Sequence, residues 1–157
     1  MVSSLLDYPP RLNLARIPTP LQLLPRASER WGAGKKLWMK RDDLTGSALT
    51  GNKIRKLEFI AAHALEQGLS TLVTCGGVHS NHCRATALVA AQLGLDCHLV
   101  LRADDEPEQH TGNFLLDQLA GASYEIWPAR EWAGNLKAIY ARLESDFKAA
   151  GRPALMI

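Results

Sequence analysis

Thr71-Leu72-Val73-Thr74-Cys75-Gly76-Gly77-Val78-His79-Ser80-Asn81-His82 is the stretch on which the fold turns. Residues of strand character run into two glycines, and two good helix N-cap types, Ser80 and Asn81, follow. Strand, turn and helix start in that order open a βαβ unit. The helix reads from about residue 80 to residue 93 and stops at Gly94. Apolar runs at 97–101, 124–127 and 154–157 repeat the strand of 71–75. Between them lie helical patterns at 113–120 and about 132–150, stopped at Gly121 and Gly151. An earlier one covers about 53–67, with Ile54, Leu57, Ala61, Ala64 and Leu65 on one stripe, and stops at Gly68. Glycine just past a helix is the expected left-handed terminator. Strands that alternate with helices in this way demand a parallel sheet, because a parallel neighbour needs a long crossover. The fold class read from 53–157 is therefore α/β, a parallel sheet flanked by helices.

Composition agrees. The 157 residues are 46% hydrophobic and 22% charged, ordinary globular values that exclude a disordered or collagen-like chain. A net charge of +2, with no densely basic stretch, argues against nucleic acid. No apolar run approaches the roughly 20 residues of a membrane span, and residues 1–10 lack the pattern of a secretory signal. Cys75, Cys83 and Cys97 are an odd number in a core-rich chain, so a reducing, cytoplasmic compartment is expected rather than a disulfide scaffold.

Two ends fit a self-sufficient domain less well. Leu37-Trp38-Met39 has no evident partner strand, and the chain stops on Ala154-Leu155-Met156-Ile157 within an apolar strand. The expectation is a truncated sequence, with a short C-terminal edge strand as the alternative.

Ligands of open α/β sheets bind at the carboxyl ends of strands, often on the following helix N-terminus. At the 74–84 junction Ser80 reads equally as a helix cap and as a functional hydroxyl. Cys75, His79, His82 and Cys83 could ligate zinc, but without a C-x-x-C pair no metal site is assigned, and buried apolar cysteines are the preferred reading. The nicotinamide fingerprint, the P-loop and the hydrolase elbow are all missing. Asp42-Asp43 and Asp104-Asp105-Glu106 read as solvated turns.

The second cluster is the loop Thr45-Gly46-Ser47-Ala48-Leu49-Thr50-Gly51-Asn52 leading into Lys53-Ile54-Arg55-Lys56-Leu57-Glu58. Cations in a first helical turn oppose the dipole, and such violations mark functional sites. A lysine there sheds its proton more easily and can attack a carbonyl. The alternative is a basic, solvated turn offset by Glu58.

Three motifs carry a resemblance. Residues 37–46 (LWMKRDDLTG), 50–58 (TGNKIRKLE) and 76–87 (GGVHSNHCRATA) closely resemble the D-cysteine desulfhydrase / 1-aminocyclopropane-1-carboxylate deaminase family, fold-type II pyridoxal-phosphate enzymes related to the tryptophan synthase β subunit. Pro18-Thr19-Pro20-Leu21 and Phe114-Leu115-Leu116-Asp117 are also similar. The resemblance implies that Lys53 holds pyridoxal 5'-phosphate as an internal aldimine. It implies a catalytic Ser80 beside the substrate and an Asn81 that hydrogen-bonds the cofactor's phenolic oxygen. It implies a lyase or deaminase acting on a small amino acid, by β-elimination from a D-cysteine-like substrate or by cyclopropane ring opening, and releasing a 2-oxo acid and ammonia. A non-catalytic α/β remnant is the alternative.

The resemblance also implies two domains, with residues 1–52 beginning the large one and 53–157 forming the small one. The remainder of the large domain, including the phosphate cradle, the pyridine partner and substrate-contacting tyrosines, is absent, and a homodimer is implied for the full-length protein. The chain alone is expected to bind cofactor weakly. Thr50 replaces a glycine usual in the family, and His79 replaces a glutamine, which leaves the exact substrate open.

Overall fold

The computed structural model describes residues 8–105, 107 and 110–157. Its centre is a four-stranded sheet built from β3 (Thr71–Gly77), β4 (Asp96–Arg102), β5 (Ser123–Trp127) and β6 (Ala154–Met156). All neighbours pair in parallel, in the order β5-β4-β3-β6. The crossovers are α3 (Asn81–Leu93), α4 (Gly112–Leu119) and α5 (Ala129–Ala149), and α2 (Lys53–Glu66) precedes β3. Each sequence-predicted helix and strand of the βαβ region is present, with ends shifted by a few residues at most. Gly68, Gly94, Gly121 and Gly151 stop the four helices at φ of 65°, 70°, 79° and 71°, a conformation that only glycine adopts without strain.

Strand periodicity sends alternate side chains to opposite faces. Leu72, Cys97, Leu99 and Leu101 meet Cys83, Ala87 and Phe114 of α3 and α4 on one face. Val73 and Val100 meet Ile139, Leu143 and Phe147 of α5 on the other. Those three recur every four residues, the spacing of one helix face. Leu72, Val73, Leu99, Val100, Leu101 and Phe114 are fully buried, each worth about 1.5–3 kcal/mol of transfer free energy.

The N-terminal arm corrects two expectations. Leu37-Trp38-Met39 does find a partner: β2 (Trp38–Lys40) pairs antiparallel with β1 (Leu21–Leu23), across the short helix α1 (Pro25–Trp31). Glu58 does offset part of the basic turn, helping Asp42 to raise the Arg55 guanidinium, but it is not a solvated group. It is 2% exposed, and its Oε1 accepts from the backbone N–H groups of Leu14 and Ala15 at 2.9 Å each. Leu12, Leu14 and Ala15 are thereby laid on the apolar seam between α2 and α3, formed by Ile54, Leu57, Ala61, Ala85 and Val89.

Asp42 is likewise more than a solvated turn. It accepts from Arg55 Nε at 2.7 Å and from Thr19 Oγ1 at 2.9 Å, and the Arg55 guanidinium holds its carboxyl down near 2. Asp104 accepts from the Ala129 amide at the start of α5, while Glu106 lies outside the described residues. Among the described residues no helix is long and apolar enough to cross a membrane.

Candidate active site

At the carboxyl end of β3 the chain turns through Gly76 and Gly77 into α3. Ser80 is the N-cap in extended conformation (φ −63°, ψ 125°), and its Oγ accepts from the amides of His82 and Cys83 at 3.2 and 3.3 Å. The cap reading of Ser80 is therefore correct. It does not exhaust the residue, because a hydroxyl with both lone pairs engaged still has one hydrogen to donate. Gly76 is required here: a Cβ on it would lie 2.7 Å from Ser80 Oγ and 2.9 Å from Cys83 Sγ. Burial pushes the Cys83 thiol up to about 12 and raises that of Cys97 too, so neither supplies a thiolate near neutral pH.

Lys53 is the first residue of α2 and is half-buried. No side chain caps this helix, since Asn52 at the N-cap makes no such bond. The preceding loop is pinned from within. Thr45 Oγ1 reaches the carbonyls of Asp42 and Gly51 at 2.9 and 3.1 Å, and Thr50 Oγ1 donates to the Asp43 carbonyl. The departure at Thr50 thus adds a hydrogen bond that glycine lacks.

The two motif loops meet. Arg84, 8% exposed on α3, donates from Nη2 to the Thr50 carbonyl at 3.0 Å. Burial, and then the positive charges of Lys53 and Lys56, lower the His82 imidazole. The Arg84–Thr50 bond thus ties the loop before Lys53 to the helix that Ser80 caps.

Asn81 is exposed, and its Oδ1 accepts from Asn113 Nδ2 at 3.0 Å. Asn113 Nδ2 also donates to the His79 carbonyl at 2.8 Å. Sequence reasoning missed Asn113, Arg84 and Asp117. Asn113 reads as an ordinary helix start, and Arg84 and Asp117 as ordinary helical polar residues. Asp117 is 1% exposed, and neither its oxygens nor Arg84 Nε has a hydrogen-bond partner among the described residues. Two charged types buried in a helix sandwich were the available signal.

Among the described residues no three His, Cys, Asp or Glu side chains are grouped to hold a metal. A lysine amine, an asparagine amide and a helix N-terminus are groups that an anionic aldehyde cofactor could use.

Comparison with known proteins gives the family. The family model described as "Pyridoxal-phosphate dependent enzyme" matches residues 12–153. A putative 1-aminocyclopropane-1-carboxylate deaminase of Pyrococcus abyssi is 42% identical over 99% of this chain and 46% of its own length. The mitochondrial bifunctional D-cysteine desulfhydrase/1-aminocyclopropane-1-carboxylate deaminase of Arabidopsis thaliana is 38% identical over 92% of this chain and 37% of its own. A D-cysteine desulfhydrase of Klebsiella pneumoniae is 44% identical over 87% of this chain and 43% of its own. The chain thus spans less than half the length of these curated relatives. The crystal structure of an ACC deaminase homologue superposes with a TM-score of 0.83 at 40% identity, covering 95% of this chain and 44% of that one. An O-ureido-L-serine synthase structure, at 19% identity and a TM-score of 0.67, shares the fold. With the family model matching from the N-terminal arm to the last crossover, the chain belongs to the pyridoxal-phosphate dependent enzymes.

Proposed function

We propose that this chain carries the lysine-bearing part of a D-cysteine desulfhydrase or 1-aminocyclopropane-1-carboxylate deaminase active site, acting on a small amino acid. The observation that carries the reading is the bond from Arg84 Nη2 to the Thr50 carbonyl, which holds the Lys53 loop against the Ser80–Asn81 turn. The relatives' names supply the two substrate classes.

Pyridoxal phosphate, when bound, supplies an electron sink for negative charge at the substrate α-carbon. Lys53 Nζ is the atom that would hold the cofactor's aldehyde carbon and, once released, take the α-proton of a D-cysteine-like substrate; the cyclopropane amino acid has no α-proton, and there the amine would move a proton at a ring carbon. Asn81 Nδ2 would donate to the cofactor's phenolic oxygen. Ser80 Oγ–H would donate to the substrate carboxylate, which the amides of α3's first turn attract. With D-cysteine, loss of the α-proton and of sulfide, then addition of water, gives pyruvate, ammonia and hydrogen sulfide. With the cyclopropane amino acid, ring opening and one water give 2-oxobutanoate and ammonia.

Residues 1–52 would belong to a large domain and 53–157 to a small one, in a homodimer. Three unpaired cysteines support a reducing compartment such as the cytoplasm.

A substrate panel on the intact protein, scored by 2-oxo acid release, tests the reading. Lys53→Ala is expected to abolish release. Ser80→Ala is expected to retain bound cofactor but lose turnover, and unchanged turnover would reduce Ser80 to a helix cap. Release of no 2-oxo acid from any small amino acid would overturn the reading.

A further inference from the structure

We infer that Asn113 is a positioning residue that sets which end of the Asn81 amide faces the cofactor. This inference rests on the proposed role of Asn81.

The argument needs only donors and acceptors. The His79 carbonyl can accept and cannot donate, so the Asn113 atom 2.8 Å from it is the amide nitrogen. That nitrogen carries two hydrogens. The second points at Asn81, 3.0 Å away, where it can be received only by Oδ1. Asn81 Nδ2 is thereby turned away from Asn113 and left as a donor for an oxygen acceptor. Without Asn113 the two ends of the Asn81 amide are nearly equivalent in shape, and half of the rotational choices would present an oxygen to the cofactor's oxygen.

The backbone is arranged to allow this contact. Gly112, immediately before Asn113, has φ of 56°, and a Cβ there would lie 3.5 Å from His79 Nδ1. The start of α4 thus sits against the turn that opens α3. Asn113 is half-buried and occupies the first turn of α4.

Two substitutions separate positioning from packing. Asn113→Ala removes the constraint on Asn81. Asn113→Asp keeps the shape but offers only acceptors, so it draws Asn81 Nδ2 toward itself and aims Oδ1 at the cofactor. The helix dipole favours an acid in a first turn while the His79 carbonyl, an acceptor 2.8 Å away, repels it, so the thermal midpoint of each variant is measured beside its affinity.

The measurement is pyridoxal 5'-phosphate affinity of the intact apoprotein by absorbance titration, beside the apoprotein's thermal midpoint. Positioning predicts about tenfold weaker binding for Asn113→Ala and weaker binding still for Asn113→Asp, at a temperature where both apoproteins remain folded. Wild-type affinity in both variants overturns the inference, as does an Asn113→Asp apoprotein that binds at least as tightly as Asn113→Ala. Asn81→Ala serves as the control. If it leaves affinity unchanged, the assigned role of Asn81 fails. If it weakens binding while the Asn113 variants do not, only the present inference fails.

Discussion

Arg84 Nη2 lies 3.0 Å from the Thr50 carbonyl, although 34 residues separate the two in sequence. One end of the bond stands in the helix opened by Ser80, the other three residues before Lys53. Arg84→Ala is expected to lower stability by about 2 kcal/mol, the usual cost of losing a hydrogen bond from a charged group. Urea unfolding reads this as a lower midpoint at unchanged slope. A change within about 0.5 kcal/mol would show that the contact does not hold the loops together.

Asp117 gives a pH signature. Burial raises its carboxyl to about 7, with nearby Arg84 pulling the other way. The unfolded chain ionises this group near 3.9, so between about pH 4 and 7 the native state holds more protons and stability falls as pH rises. The slope approaches 1.4 kcal/mol per pH unit and vanishes above about 7. His82 and His98, lowered by burial, act in the opposite sense, costing stability as pH falls. The difference between wild type and Asp117→Asn isolates the carboxyl. The variant should gain relative stability steadily from pH 4 to 7, and a pH-independent difference would contradict the assignment.

Gly76 and Gly77 should respond unlike each other to the same substitution. A Cβ on Gly76 would sit 2.7 Å from both Ser80 Cβ and Oγ, whereas one on Gly77 meets nothing within 4 Å. Gly76→Ala is expected to displace the cap and cost at least about 1 kcal/mol. Gly77→Ala should change the thermal midpoint little. Equal effects would mean that the turn relaxes around either methyl.

Thiol labelling checks the sheet's inner face. Cys83 is fully buried and Cys97 nearly so, and burial disfavours both thiolates. Native protein at pH 8 should leave these two unmodified for as long as it stays folded, and denaturant should expose them together. Rapid native labelling of either would place it outside the core.

The βαβ region was legible because long amphipathic helices and glycine stops leave a periodic trace. The β1–β2 pair was not, since three-residue strands carry no period and Leu21 and Lys40 are joined only through tertiary contact. Lys53, Ser80 and Asn81 were recognisable as candidates from local motifs and from family resemblance. Their supports were not: Glu58 turns inward to bind backbone 43 and 44 residues away, and Asn113 reaches Asn81 across 32 residues. A side chain's partner in space has no sequence signature when both residues look ordinary where they stand.

The most direct test asks where the cofactor is attached. Intact protein loaded with pyridoxal 5'-phosphate, reduced with borohydride and digested, should yield one pyridoxyl-modified peptide, with the modification on Lys53. A modification on Lys56 or any other lysine, or none at all, would contradict the account.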